Sequence, residues 1–321
     1  MTTPGVRLTQ LDEADFHEFR LAFSATFGHE PPAPFIRRRA RTFEFDRGIV
    51  GRNDLDEIVA TAGAYSFQMS VPGGASVGCA GITVVSVRQD HRRRGLLTQM
   101  LDELIRDARD RGEPVAALWA SESSIYGRFG FGPAVPILTL TVDRAHSALR
   151  GAPSAADVRL VGPDEARTVF PALHERWRQQ RGGLMARSAR WWDRILEDHL
   201  EQREGASPYR HALLGDRGYA TFRLQASWKD DAPDGTVQLS QLVALDPEAT
   251  ATLWRFVFDT DLAVRLSVQR APVDEPLLSL LVDPGRAKAR LGDALYLRLI
   301  DAPAAFAART YRGEGEIVFD L

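Results

Sequence analysis

Residues 85–100 read VSVRQDHRRRGLLTQM; they begin as a strand and end as an amphipathic helix. Between the two stand Arg92, Arg93 and Arg94, followed by Gly95. Three adjacent cations repel one another, so the run asks for an anion. A strand that leads through a glycine turn into a helix is a device for holding one. The first N–H groups of a helix lack backbone partners, and the helix dipole places roughly half a positive charge there. Gly95 lets backbone approach a ligand without a Cβ in the way. Arginines at the turn add charge-assisted hydrogen bonds to phosphate oxygens. The stretch therefore reads as a pyrophosphate socket. A charged turn capping an ordinary helix is the competing reading.

The surroundings extend the pattern. Downstream, Leu96, Leu97, Met100, Leu101, Leu104, Ile105 and Ala108 share one stripe of a helix, with charges opposite. VAALWA (115–120) is a short apolar strand of the buried parallel kind. SESSIYGRFGFG (121–132) is a short helix closed by glycines, and AVPILTLTVDR (134–144) is a strand. Upstream, a strand at Val6–Leu8 and a helix over 13–27 are followed by the breaker GHEPPAP (28–34). Strands are expected over 42–50, 56–71 and 75–87, the last two joined by a hairpin turn at Pro72–Gly74. The basic run FIRRRARTFEFDR (35–47) reads as a solvated edge strand, and Cys79 as a residue packed in the sheet.

SALRGAPSAADV (147–158) has linker composition, and then the order repeats. A strand (158–160), helices over 163–180 and 188–202, strands over 210–214, 218–228 and 236–245, a helix over 246–261, a strand over 263–269 and a short helix over 276–281 follow. LVALDPEATATLWRFV (242–257) sits where residues 85–100 sat, without the arginines and the glycine. This reads as a second copy of one architecture with its ligand loop lost. Residues 294–321 give strand, helix, strand. Three elements cannot bury a core alone, so they dock on what precedes them or open a further domain.

Composition narrows the function classes. A net charge of −3 argues against a general nucleic-acid binder. The one cysteine excludes an intramolecular disulfide framework and a multi-cysteine zinc site. The start has no apolar core of a signal peptide. No run approaches the roughly 20 apolar residues of a membrane span, and a cytoplasmic protein is expected. The turn at 92–97 carries neither a Walker pattern nor G-x-G-x-x-G.

What remains, R-x-x-G at a strand-to-helix turn, resembles the acetyl-CoA motif of the GCN5-related N-acetyltransferases. Leu97 departs from the Gly or Ala usual there. TAGAYSFQMSVPGG (61–74), AGITVVSVRQDHRRRGLL (80–97) and SESSIYGRFGFGPA (121–134) together resemble the enhanced intracellular survival (Eis) acetyltransferases of actinobacteria. The second half resembles that family's inactive second domain. The resemblance implies an α/β fold with mixed sheets: tandem acetyltransferase folds followed by the start of a sterol-carrier-like domain. The divisions are 1–146 for acetyl-CoA binding, 147–285 for a degenerate copy and 286–321 for the partial third domain.

The resemblance also implies roles. The backbone of Val85, Ser86 and Val87 pairs with the pantetheine arm. The loop Arg92, Arg93, Arg94, Gly95, Leu96, Leu97 and Thr98 holds the pyrophosphate, and Ser121 and Glu122 lie near the cofactor. Tyr126 matches the general acid, which protonates the departing thiolate and gives about 10²–10⁴-fold in rate; on position alone a core tyrosine is the alternative. The family's base is a C-terminal carboxylate that ends a complete third domain. This chain stops at Leu321, so the role is not carried onto it, and Glu122 and His91 are the nearest candidates. Acetyl-CoA is the expected co-substrate and no metal is expected. The acceptor is a cationic amine: an aminoglycoside, a polyamine or a lysine side chain. Such acceptors need an acidic pocket, for which Glu30 and Glu122 offer charge and Phe23, Phe27 and Phe35 offer walls; surface acid and core aromatics are the alternatives there. A homo-hexamer is implied. A non-catalytic acyl-CoA-binding scaffold or sensor is the other functional reading.

Overall fold

The first strand, β1 (Val6–Gln10), leads into helices α1 (Phe16–Ala25) and α2 (Ala33–Ala40) in a computed structural model that describes residues 5–151, 154–316 and 318. Phe16 and Phe19 bury one side of α1 against Phe43, with the Phe16 and Phe43 rings 5.0 Å apart. The run 35–47, expected as an edge strand, is α2 followed by a 3-10 turn at Phe45–Arg47. The reason is local. Pro34 suits the first turn of a helix, Ile36 supplies one core-facing anchor, and Phe35 lies under the Arg39 guanidinium. A strand there would point alternate arginines inward. Arg47 does go inward, and it is met by Glu113 at 2.9 and 2.7 Å and by Asp107 at 2.9 Å.

Strands β2 (Gly48–Asn53), β3 (Ile58–Ser70) and β4 (Ser76–Val87) form an antiparallel meander with β1. Gly73 and Gly74 take the left-handed backbone that the β3–β4 hairpin requires. Helix α3 (Leu96–Asp110) covers this sheet with Leu96, Met100, Leu101, Leu104, Ile105 and Ala108 buried. That is the stripe expected from the sequence, with Leu97 at its margin. β5 (Val115–Trp119) then pairs parallel to β4, and the short α4 (Ser123–Tyr126) closes the passage.

The chain divides into two compact units: residues up to Ala134 with Arg181–Ala186 and Leu295 onward, and Val135–Gln180 with Arg187–Ala294. The second unit contains most of β6 (Gly132–Asp143), then β7 (Arg159–Val161), α5 (Pro163–Gln179), α6 (Ala189–Leu196), β8 (Arg210–Leu214) and β9 (Gly218–Gln225). A small hairpin, β10 (Trp228–Lys229) with β11 (Ala232–Pro233), precedes β12 (Gly235–Ala244), α7 (Pro247–Phe258), β13 (Ala263–Pro272) and α8 (Leu277–Leu280). Its strand order is β6-β13-β12-β9-β8-β7, with β12 and β13 parallel. The helix expected over 188–202 stops at Leu196, and residues 200–202 form a separate 3-10 turn. The stretch with linker composition is anchored on both sides: Leu149 and Val158 are buried in this unit's core, and Leu149 bridges to Leu281.

The last elements are β14 (Arg290–Leu299) and α9 (Ala302–Ala307). Leu295–Leu299 pairs antiparallel with β5, and Tyr296 enters the first unit's core. Ala305 of α9 packs in a cluster with Cys79, which is fully buried as expected. Burial pushes that thiol up to about 12. The first part of the segment expected to open a third domain is thus hydrogen-bonded into the first unit's sheet, whose order is β1-β2-β3-β4-β5-β14. The closing strand expected after it falls largely on residues outside the described ones, as does Leu321. Both units are α/β with mixed sheets, each centred on one parallel pair.

Candidate active site

The site begins with a fault in β4. Thr61 pairs with Ser86 and Gly63 with Thr83, so two steps along β3 meet three along β4. The extra residue is a β-bulge, and at it Val84 takes φ 47°, a left-handed backbone rare for a β-branched side chain. Bulges bend a strand away from its partner. Accordingly, among the described residues, β4 pairs with β5 only at Cys79–Gly81, although β4 runs on to Val87. From Ile82 onward the β5-facing edge of β4 has no ladder partner among the described residues. Val85, Ser86 and Val87 are only half-buried there, so their backbone groups are accessible to a ligand. Thr61, fully buried on β3, steadies the bulge: its hydroxyl donates to the Val84 carbonyl (2.7 Å) and lies 2.8 Å from Ser86 Oγ. The sequence reading missed Thr61, because a threonine in a strand carries no signal of a bulge opposite.

The edge runs into the arginine loop. Gly95 is the N-cap of α3 at φ 81° and offers no side-chain cap, so the helix's first N–H groups stay open. Arg93 also has positive φ. The loop is braced from behind. Arg88 pairs with Glu57 (2.9 Å) and Asp90 (2.8 Å), and the buried His91 donates from Nδ1 to Asp90 (2.9 Å). Those partners hold the Asp90 carboxyl well below the usual carboxylate range. Arg92 Nε donates to the Val87 carbonyl at 3.3 Å, which turns its remaining donors to one side.

Strand edge and loop open onto one cleft of about 520 Å³. Val85, Ser86 and Val87 line it from β4; Arg92, Arg93, Gly95, Leu96, Leu97 and Thr98 line it from the loop and α3. Ser121, Glu122 and Tyr126 face it from beyond β5, and Phe27 from the end of α1. Arg94 is not in the lining; its guanidinium donates to the Asp90 carbonyl (2.9 Å). Glu30 is exposed and Phe35 is stacked under Arg39, and neither reaches the cleft. Phe23 packs on Phe27 at 4.9 Å. Thr26, His91, Ile125 and Arg128 complete the lining; of these only His91 was singled out by sequence. Tyr126 is 8% exposed, with its ring edge-on to Phe131 and its hydroxyl without a hydrogen-bond partner among the described residues. Burial, aided by the Glu122 carboxylate, pushes its phenol up from the ordinary value. Among the described residues no cluster of His, Cys, Asp or Glu is arranged to hold a metal ion, and no helix is long and apolar enough to cross a membrane.

An acetyltransferase (GNAT) domain model matches residues 7–134, and a second model of the same description matches 183–299. An uncharacterized N-acetyltransferase of Streptomyces avermitilis is 44% identical over 87% of this chain and 69% of its own length. The chain belongs to the GCN5-related N-acetyltransferases, a family of enzymes. N-acetyltransferase Eis of Mycobacterium bovis is 39% identical, over 82% of this chain and 65% of that protein. The structure of Eis1 from Mycobacterium abscessus superposes with a TM-score of 0.80 at 29% identity, covering 96% of this chain and 76% of that one. The chain thus spans about two thirds of the length of its curated relatives.

The second GNAT match explains the repeat in the sequence. There α7 occupies the position of α3, but its N-terminus is closed. Asp246 caps it by accepting from Ala249 N (2.8 Å), and Arg217 pairs with both Asp246 (2.7 Å) and Glu248 (2.9 Å). A carboxylate already holds the place where α3 leaves its N–H groups open.

Proposed function

We propose that the first unit binds acetyl-CoA in the β4–β5 opening and transfers its acetyl group to a primary amine, and that the second unit is a degenerate copy without a cofactor. The observation that carries this is the unpaired edge of β4 running into the uncapped N-terminus of α3, with Tyr126 across the same cleft. Backbone of Val85 and Val87 pairs with the amide-bearing pantetheine arm. The open N–H groups of α3, with Arg92 and Arg93, hold the pyrophosphate. The acceptor nitrogen attacks the thioester carbonyl carbon and the C–S bond breaks. The departing thiolate takes the Tyr126 proton, which burial keeps on the phenol, while the amine gives up its own proton to water, from which the phenol is recharged.

The acceptor is a primary amine of the cationic kind implied by the Eis relatives, an aminoglycoside, a polyamine or a lysine side chain. Among the described lining residues Glu122 is the one carboxylate, and it stands beside the reacting centre. Assembly as a homo-hexamer in the cytoplasm belongs to the same reading. A thiol-release assay with acetyl-CoA and a panel of such amines tests it. Release of one CoA thiol per acetylated amine is expected. CoA binding with no thiol release against any amine would reduce the protein to a binding scaffold.

A further inference from the structure

Arginine supplies almost all of this chain's positive charge. Of its 40 lysines and arginines, only Lys229 and Lys288 are lysines. The difference is chemical. A guanidinium stays protonated, whereas a lysine amine that sheds its proton is a nucleophile. An enzyme that acetylates primary amines therefore meets just two side-chain amines on a copy of itself, and the second unit holds them differently. Lys288 follows the 3-10 turn at Pro284–Ala287, and its Nζ donates to the Asp143 carboxylate at 2.8 Å. Lys229 lies on the small β10–β11 hairpin, where it pairs across to Ala232. Asp230 and Asp231, both with positive φ, make the tight two-residue turn between the strands. Trp228, Lys229, Asp230 and Asp231 are all exposed. The Lys229 amine has no hydrogen-bond or ion-pair partner among the described residues. The hairpin's chemistry also suits the mouth of the cleft on the first unit. Trp228, 63% exposed, offers an aromatic face, and two carboxylates stand beside the lysine. The cleft offers Phe27, 52% exposed, and the exposed Arg128, which makes no ion pair among the described residues. Arg92 and Arg93 are taken up by the pyrophosphate in the reading above, so Arg128 is the lining cation left for an acidic acceptor.

Resting on that acetyl-CoA reading, we infer that the protein acetylates itself: Lys229 on the hairpin of one copy is an acceptor for the cleft of another. The Lys229 ammonium first loses a proton to water. Its nitrogen then attacks the thioester carbon, the C–N amide bond forms and the C–S bond breaks. The CoA thiolate takes the Tyr126 proton, and the nitrogen's second proton goes to water, from which the phenol is recharged. Acetylation removes the positive charge of Lys229 and leaves the hairpin its acids alone. The other lysine is engaged by Asp143, so the modification stops at one acetyl group per chain.

The test incubates the whole chain with acetyl-CoA in an amine-free buffer and follows intact mass, peptide map and rate. One acetyl group per chain is expected, on Lys229, with a rate per chain that rises in proportion to protein concentration. Tyr126→Phe slows it about 10²-fold. Lys229→Arg keeps the charge, takes up no acetyl group and acetylates added amines as fast as the unaltered chain. Mixing these two variants separates the roles, because one supplies only the hairpin and the other only the working cleft. Acetyl is then expected on Lys229 of the Tyr126→Phe chains. Acetyl on Lys288 instead, an equal rate in Tyr126→Phe, or a rate per chain indifferent to concentration overturns the inference. So does a chain that acetylates added amines and leaves itself unmodified, and in that case the acetyl-CoA reading stands. If the chain acetylates neither itself nor any amine, both readings fall.

Discussion

Tyr126 is a proton store before it is anything else. Its phenol is buried, its pKa is raised by that burial and then by Glu122, and a raised pKa favours the protonated form. The phenol proton is therefore present throughout the neutral range and is lost only as pH rises above the ordinary tyrosine value of about 10. Tyr126→Phe is expected to lower kcat about 10²-fold or more, to change the Kd for acetyl-CoA by no more than a few-fold, and to abolish the alkaline limb of the kcat–pH profile; steady-state rates and titration calorimetry measure all three. Thr61 makes a second case. In Thr61→Val the Val84 carbonyl loses its donor, which costs about 1–3 kcal/mol and loosens the bulge. Denaturant unfolding should show that loss with a parallel fall in kcat, while Thr61→Ser restores both. That Tyr126 would stand near the loop, in the cleft it lines, was legible in the sequence because SESSIYGRFGFG carries a pattern. Thr61 was not, because its importance comes from a one-residue register shift across the strand, which neither β3 nor β4 displays alone.

At the scale of elements the sequence marked out α3 well and α2 badly, for one reason. The α3 stripe has six buried apolar positions in helical spacing, and such a period has one solution. α2 has one, Ile36, and three consecutive arginines fit a strand edge as well as a helix surface. Tertiary packing settled that segment. The turn into α3 yields a sharper prediction. A Cβ on Gly95 would meet nothing nearer than Gln99 Nε2 at 3.7 Å, so the glycine is needed for its φ of 81° and for what approaches it, not for packing. Gly112, at φ 68° with open space around it, is the control at the other end of the helix. Both Gly95→Ala and Gly112→Ala should cost about 1 kcal/mol of stability. Only Gly95→Ala should also weaken acetyl-CoA binding, by about tenfold, since its methyl stands before the open N–H groups. Equal Kd values for the two variants would remove the anion socket from the account.

For the whole molecule, the repeat was legible as two runs of similar elements, matched by two GNAT domains. What could not be read was which strands complete each sheet. Residues 295–299 follow the second copy in sequence, yet they hydrogen-bond to β5 of the first. Long-range pairing of this kind leaves no local periodicity. It also limits where the protein can be cut. A fragment ending at Ala134 matches the first GNAT domain, but it lacks β14 and α9. Tyr296 and Ala305, 5% and 6% exposed, are removed from its cores, and the β5 edge is left bare beside the cofactor cleft. An apolar open edge is a template for aggregation. Expressed alone, residues 1–134 should be unstable or aggregated and should bind no acetyl-CoA. The same residues joined through a flexible linker to 290–316 should recover a cooperative unfolding transition and bind one equivalent of acetyl-CoA, the stoichiometry also expected of the full chain if Asp246 closes the second unit's helix to phosphate. Circular dichroism melts and calorimetric stoichiometry check this. A stable, acetyl-CoA-binding 1–134 fragment would show that β14 is dispensable to the site, and two equivalents bound by the full chain would show that the second copy is not degenerate.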